Sequence, residues 1–99
     1  MFRVIYRWSV KAEDFEQFEK IWLQTTNTIY NNIKGAMGSL LMKSTNEKDI
    51  VIGIARWRSI KDWENFWNDS TPLEMESLSD YAIRISVETF EEVEDRTVL

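Results

Sequence analysis

An apolar run that stops at a basic-aromatic step and leads into an aromatic helix occurs twice in this chain. Arg7-Trp8-Ser9-Val10-Lys11 closes the first run. Arg56-Trp57-Arg58-Ser59-Ile60-Lys61 closes the second, forty-nine residues later and with one residue inserted. The second copy, Ile50 to Trp67, is the sharper: an apolar strand, a break at Arg58-Ser59, and a short helix bearing Trp63 and Trp67. A strand–helix unit used twice in 99 residues constrains the fold more than the chemistry. This length suits one domain with one core, placed here at residues 1–93, with 94–99 as a tail.

The elements follow from periodicity. Phe2, Val4, Tyr6, Trp8 and Val10 alternate with Arg3, Ile5, Arg7 and Ser9, the period of a strand. From Glu13 to Ile33, Phe15, Phe18, Trp22, Thr25, Ile29 and Ile33 recur every three or four residues and form one helical stripe. Gly35 then suits the left-handed position that ends a helix. Ala36–Ser44 reads as a second strand, Thr45–Asp49 as a polar turn, and Ile50–Trp57 as a third strand. Gly53 within it predicts close approach by another group. Ser59 reads as an N-cap with Asp62 three residues on, opening a helix over Lys61–Asp69. Thr71-Pro72-Leu73-Glu74 reads as another helix start, with Pro at the first helical position and helix to about Leu78. Tyr81–Val93 alternates again, with Ile83, Ile85 and Val87 on one side.

Two βαβ halves of this kind predict an α+β, ferredoxin-like βαββαβ sandwich: a four-stranded antiparallel sheet with helices on one face. The other face would be bare, bearing Gly53, Ala55, Ile5 or their neighbours. An apolar bare face predicts a homodimer in which two sheets meet.

Composition narrows the function. The net charge of −5, with 12 scattered Lys and Arg, speaks against nucleic acid and against anionic membrane surfaces. The late acidic residues Glu88, Glu91, Glu92, Glu94 and Asp95 read as a solvated strand end and tail. With no Cys and no His, there is no thiolate site, no Ser-His or Cys-His nucleophile pair, and no expected metal centre. The three separated glycines form no phosphate loop, so no nucleotide cofactor is expected. No run is long enough to span a membrane and no leader is recognisable; the cytoplasm is the expected location.

With its layout, the strand end Ala55-Arg56-Trp57-Arg58-Ser59 and the Trp63…Trp67 helix, the chain resembles the antibiotic biosynthesis monooxygenase (ABM) family of dimeric α+β-barrel proteins over about residues 2–92. The resemblance implies a homodimer with a pocket between sheet and helices. It also implies cofactor-free oxygenation of phenols or quinols, or haem degradation. Trp67 matches the helix tryptophan that contacts ligand in the enzymes. The quinol-forming members have an Asn one turn earlier, where this chain has Trp63. The haem degraders have a His that this chain lacks. The resemblance and the aromatic supply together nominate Trp67, Tyr6 and Arg7 as the reacting set. Trp63, Trp22, Trp8, Tyr30 and Asn65 are nominated as contacts to a small aromatic or hydrophobic molecule, with no cofactor. Core packing accounts for the same tryptophans. Arg56 and Arg84 are further strand arginines able to stabilise an oxyanion or to pair with a carboxylate. A non-catalytic ligand-binding barrel and a purely structural dimer are the competing readings.

Overall fold

Alternation in the first strand sets which side of the sheet becomes interior. In β1 (Phe2–Ser9), Phe2, Val4, Tyr6 and Trp8 are buried, and the residues between them are half-buried. β3 (Ile50–Trp57) repeats the pattern, with Val51, Gly53, Ala55 and Trp57 buried. The two strands pair antiparallel with Val4 opposite Ala55 and Tyr6 opposite Gly53, so the two buried sets share one face. β2 (Ala36–Lys43) adds outside β3 and β4 (Ile83–Glu91) outside β1, giving a four-stranded antiparallel sheet in the order β2-β3-β1-β4. The computed structural model describes residues 1–68 and 72–97.

The buried face is covered by α1 (Phe15–Asn32), α2 (Ile60–Trp67) and a 3-10 segment, Leu73–Asp80. This is the ferredoxin-like α+β sandwich. Its core centres on Trp57, Phe18, Val4 and Val51, all essentially inaccessible. Each such large side chain stabilises the fold by roughly 1.5–3 kcal/mol. On α1, Phe18 and Thr25 are buried, and Phe15, Trp22, Ile29 and Ile33 pack as the half-buried flanks of the same stripe.

The start of α2 is fixed by a cap and by a glycine. Ser59 Oγ accepts the Asp62 backbone N–H at 3.2 Å. The Arg58 N–H donates to the Gly35 carbonyl at 2.8 Å, tying the α1–β2 corner to the β3–α2 corner. Gly35 has φ +87°, and a Cβ there would overlap the Asp62 side chain.

Several local expectations are corrected. A 3-10 turn, Ala12–Asp14, precedes α1, and the helix is capped by extended Ile33 rather than by Gly35. Pro72 stands just before the 3-10 segment rather than as its first residue. The ends at Asp69 and Thr71 lie outside the described residues. The alternation predicted in β4 fails because the register shifts between Arg7 and Trp8. Arg7 lies opposite Ser86 and Trp8 opposite Arg84. Arg84 and Val87 therefore share the covered face while Ile83, opposite Ser9, is on the other.

The bare face carries Ile5, Ile52 and Ile54 with Leu40, Met42 and Phe90 of the edge strands. Gly53 and Ala55 are not on it; odd and even positions of β3 exchange roles relative to expectation, and both residues lie under the helices. Nor is the acidic end of the chain wholly solvated. Arg3 and Arg56 face one another across β1 and β3, and both bond the Glu92 carboxylate, at 2.6 and 3.0 Å from their Nε atoms.

We expect Gly35→Ala to destabilise the protein by about 2 kcal/mol or more, because the added Cβ is strained at a positive φ and clashes with Asp62. Ser59→Ala, which removes only the cap, should cost about 1 kcal/mol. Urea denaturation of the two variants checks the order.

Candidate active site

The side chain missing at Gly53 opens a space within the covered layer. Trp8 and Trp22 fill most of it: a Cβ on Gly53 would lie 3.0 Å from the Trp8 ring and 3.4 Å from the Trp22 indole nitrogen. What remains is a cleft between the sheet, α1, α2 and the 3-10 segment. Tyr6 and Trp8 of β1, Trp57 of β3, Trp22 and Tyr30 of α1, and Phe66 of α2 line it, with Met75 and Leu78 across from them. Its free volume is about 30 Å³. That matches one water molecule, whereas a ring the size of benzene fits a cavity of about 150 Å³. Ligand binding therefore requires side chains to move. Tyr30 in the wall is 56 % exposed, and its ring lies over Gly38, where φ is +101°.

Tyr6 links this cleft to a second aromatic group. Its ring stacks on Trp8 (5.7 Å between centroids, 20° between planes) and leans on Trp67 (5.7 Å, 38°). Its hydroxyl accepts the Trp63 Nε1–H at 3.1 Å in a buried contact. Trp63 and Trp67, one helical turn apart on α2, stack on each other at 5.6 Å and 18°. The Arg84 guanidinium lies 5.1 Å from the centre of the Trp67 ring, an arrangement that attracts the cation to the ring face. Burial pushes the Tyr6 hydroxyl up to about 12, more than the Trp63 hydrogen bond and the nearby Arg84 charge pull it down. Tyr6 is a neutral donor at physiological pH and not a base.

The nominated residues divide. Tyr6, Trp8, Trp22 and Tyr30 meet in the cleft. Trp63 and Trp67 pack beside Tyr6 and flank a separate shallow depression with Val87. Arg7 does not join them: it projects from the face opposite Tyr6, because adjacent strand residues point to opposite sides. Asn65 is exposed on α2 and lines neither space. Met75 and Leu78 escaped sequence reading. Their three-residue spacing puts them on one side of a 3-10 turn, a signal too short to separate from a helix. Among the described residues, no group of carboxylates is arranged to hold a metal ion.

A four-stranded antiparallel sheet with an aromatic cleft under its helices defines a ferredoxin-like α+β protein whose site is built from rings and few polar groups. The sequence model of the antibiotic biosynthesis monooxygenase family matches residues 1–72, and the chain belongs to that family. Its fold is similar to that of SnoaB, a cofactor-independent oxygenase from Streptomyces nogalater. The TM-score is 0.76 at 14 % identity, covering 98 % of this chain and 97 % of that one. It is also similar to the haem degrader MhuD from Mycobacterium tuberculosis, solved with two haems bound in its active site, at TM-score 0.72 and 17 % identity over 96 % and 98 % of the chains. A conserved protein from Methanosarcina mazei matches at 0.72 and 11 % identity over 92 % and 91 %. At these identities the likeness is one of fold. No curated protein sequence matches the chain.

Two outcomes are expected of this site. Ultraviolet titration should find one of the three tyrosines ionising only near pH 12, absent in Tyr6→Phe. Because the folded value lies above the ordinary one near 10, the associated stability is intact below pH 10 and is lost as pH rises toward 12. Gly53→Ala should destabilise by about 1–3 kcal/mol by overpacking Trp8 and Trp22, read from thermal denaturation and tryptophan fluorescence.

Proposed function

We propose that this protein is a cofactor-independent monooxygenase that oxidises a small, flat phenol or quinol to a quinone. The observation that carries this reading is Tyr6, whose ring lines the aromatic cleft and whose hydroxyl is kept protonated by burial while its oxygen accepts from Trp63 Nε1. Its proton is then available to a substrate oxygen. Membership of the family supports the reaction class.

In this reading the ring of the substrate lies among Trp8, Trp22 and Tyr30, and Tyr6 donates to its phenolic oxygen. The described residues that line the cleft include no carboxylate. Ionisation of the substrate must therefore rest on its own acidity and on stabilisation of the anion by the Tyr6 hydrogen bond. The phenolate passes one electron to O2, giving a phenoxyl radical and superoxide. These combine at a ring carbon that bears hydrogen to form a peroxide anion, which takes up a proton equivalent to the one the phenol lost; the resulting hydroperoxide loses water and leaves a carbonyl. One oxygen atom enters the product and the other leaves as water. The protein orients the ring, excludes water and stabilises the anion. Tyr6 takes the part first given to Arg7, and Arg84 against Trp67 adds the nearby positive charge.

The functional unit in this reading is a homodimer formed through the bare sheet face. The apolar residues Ile5, Ile52, Ile54, Leu40 and Met42 favour it. Among the described residues no helix is long and apolar enough to cross a membrane, and the cytoplasm is the proposed location.

A second reading, a barrel that binds a hydrophobic molecule without reacting it, is favoured by Trp63 where the quinol-forming members have Asn. Oxygen-electrode assays with hydroquinones and anthrones separate the two. Oxygenation predicts substrate-dependent O2 uptake and a fall in kcat of about 10²-fold in Tyr6→Phe. Quenching of tryptophan fluorescence without O2 uptake would instead favour the binding protein.

A further inference from the structure

The chain carries a net charge of −5, so two copies repel over most of their surface. The bare face is different in its charge. Strand register puts Arg3, Arg7 and Arg56 on it, together with Glu88, which lies opposite Ile5. That leaves three cations against one anion from the strands themselves. The segment following β4 corrects the imbalance. The Glu92 N–H donates to the Met1 carbonyl at 2.9 Å, one pair beyond Phe2 opposite Glu91 in the antiparallel ladder. Glu92 then accepts from Arg3 Nε at 2.6 Å and from Arg56 Nε and Nη2 at 3.0 and 3.3 Å. Asp95 accepts from Arg3 Nη2 at 3.3 Å and stands 3.9 Å from Arg56 Nη2. With these two carboxylates the face holds Arg3, Arg7 and Arg56 against Glu88, Glu92 and Asp95, and is neutral.

We propose that residues 92–97 are a charge-matching strap: Glu92 and Asp95, seated on Arg3 and Arg56, make the bare face able to receive a second copy of this chain. The inference rests on the homodimer proposed above and adds the element that controls it.

The physical reason is that docking removes water from the arginines. Taking a cation out of water without a partner is strongly unfavourable, and a two-fold contact doubles any excess. The Glu92 side chain is already only 14 % exposed, so its bonds to the two arginines are partly shielded before any docking. Both carboxyls remain ionised at neutral pH. Desolvation alone would raise Glu92, but hydrogen bonds from Arg56 and Arg3 and their charges outweigh it and hold it below the usual range. Thr97 donates twice to Asp95, from its hydroxyl and its backbone N–H, and with the arginine charges this overcomes desolvation and lowers Asp95 too. The strap also contains its own control: Glu94 and Arg96 pair with each other at 3.2 Å in the open, touching neither Arg3 nor Arg56.

The test is the dimer dissociation constant, measured by sedimentation across a dilution series at neutral pH and low salt. Glu92→Gln/Asp95→Asn should weaken the dimer at least about tenfold. Adding Arg3→Gln/Arg56→Gln to that variant should restore most of the affinity, because the uncompensated cations are gone. Arg3→Gln/Arg56→Gln alone, which leaves an anionic excess, should weaken the dimer as well and probes the strap without touching it. Glu94→Gln/Arg96→Gln should match wild type. Wild-type affinity in either charge-unbalanced variant would overturn the strap, and so would a four-site variant as weak as the double. A wild type that stays monomeric at every concentration would overturn the dimer itself, and the strap with it.

Discussion

The register that sets Tyr6 opposite Gly53 is the constraint on which the interior depends. β1 sends Phe2, Tyr6 and Trp8 into the covered layer, whereas β3 sends small side chains and one ring, Trp57. At Gly53 there is no side chain to send, and Trp8 and Trp22 close on the empty position. A slip of one residue would send Ile52 and Ile54 inward and turn Trp57 outward. The cleft is therefore a product of strand pairing. Its walls come from three strands, two helices and the 3-10 segment, and its floor from a side chain that is absent.

The same alternation supplies the other side of the sheet. The positions of β1 and β3 that face away from the helices carry Arg3, Ile5, Arg7, Ile52, Ile54 and Arg56, an apolar centre flanked by arginines. The chain end returns to cover two of those arginines with Glu92 and Asp95. One face is thus closed by helices within the chain, and the other is left apolar with its charges matched. Tyr6 and Arg7 show how sharp the division is: neighbours in sequence, they serve opposite sides of the sheet.

Much of the architecture was legible in the residues. The limits of β3 were read correctly, the α1 stripe packs as its spacing implied, and Ser59 caps α2 through Asp62. Family membership was legible from the strand end around Trp57 and the Trp63…Trp67 helix. The site was only partly legible. Tyr6, Trp8, Trp22 and Tyr30 are aromatic in a chain short of other chemistry, and they do converge. Arg7 was misassigned because counting residues does not say which side of a strand the helices will cover. Ile83 and Val87 were placed on one side because a register shift leaves no mark in a period of two. Met75 and Leu78 were passed over, and the carboxylates after β4 looked like solvated charge until the strands brought Arg3 and Arg56 together.

By itself, then, the sequence determined the elements and their amphipathic faces, since period two and period 3.6 are properties of the local chain. It also set the chemical vocabulary of the site: many rings, no imidazole and no thiol. Only the tertiary structure decided which faces meet. Pairing between residues about fifty apart chose the covered side, joined Tyr6 to Trp63, and set Glu92 between Arg3 and Arg56. Such contacts depend on long-range register, which is specified by the joint burial of several strands and has no signature in any one of them.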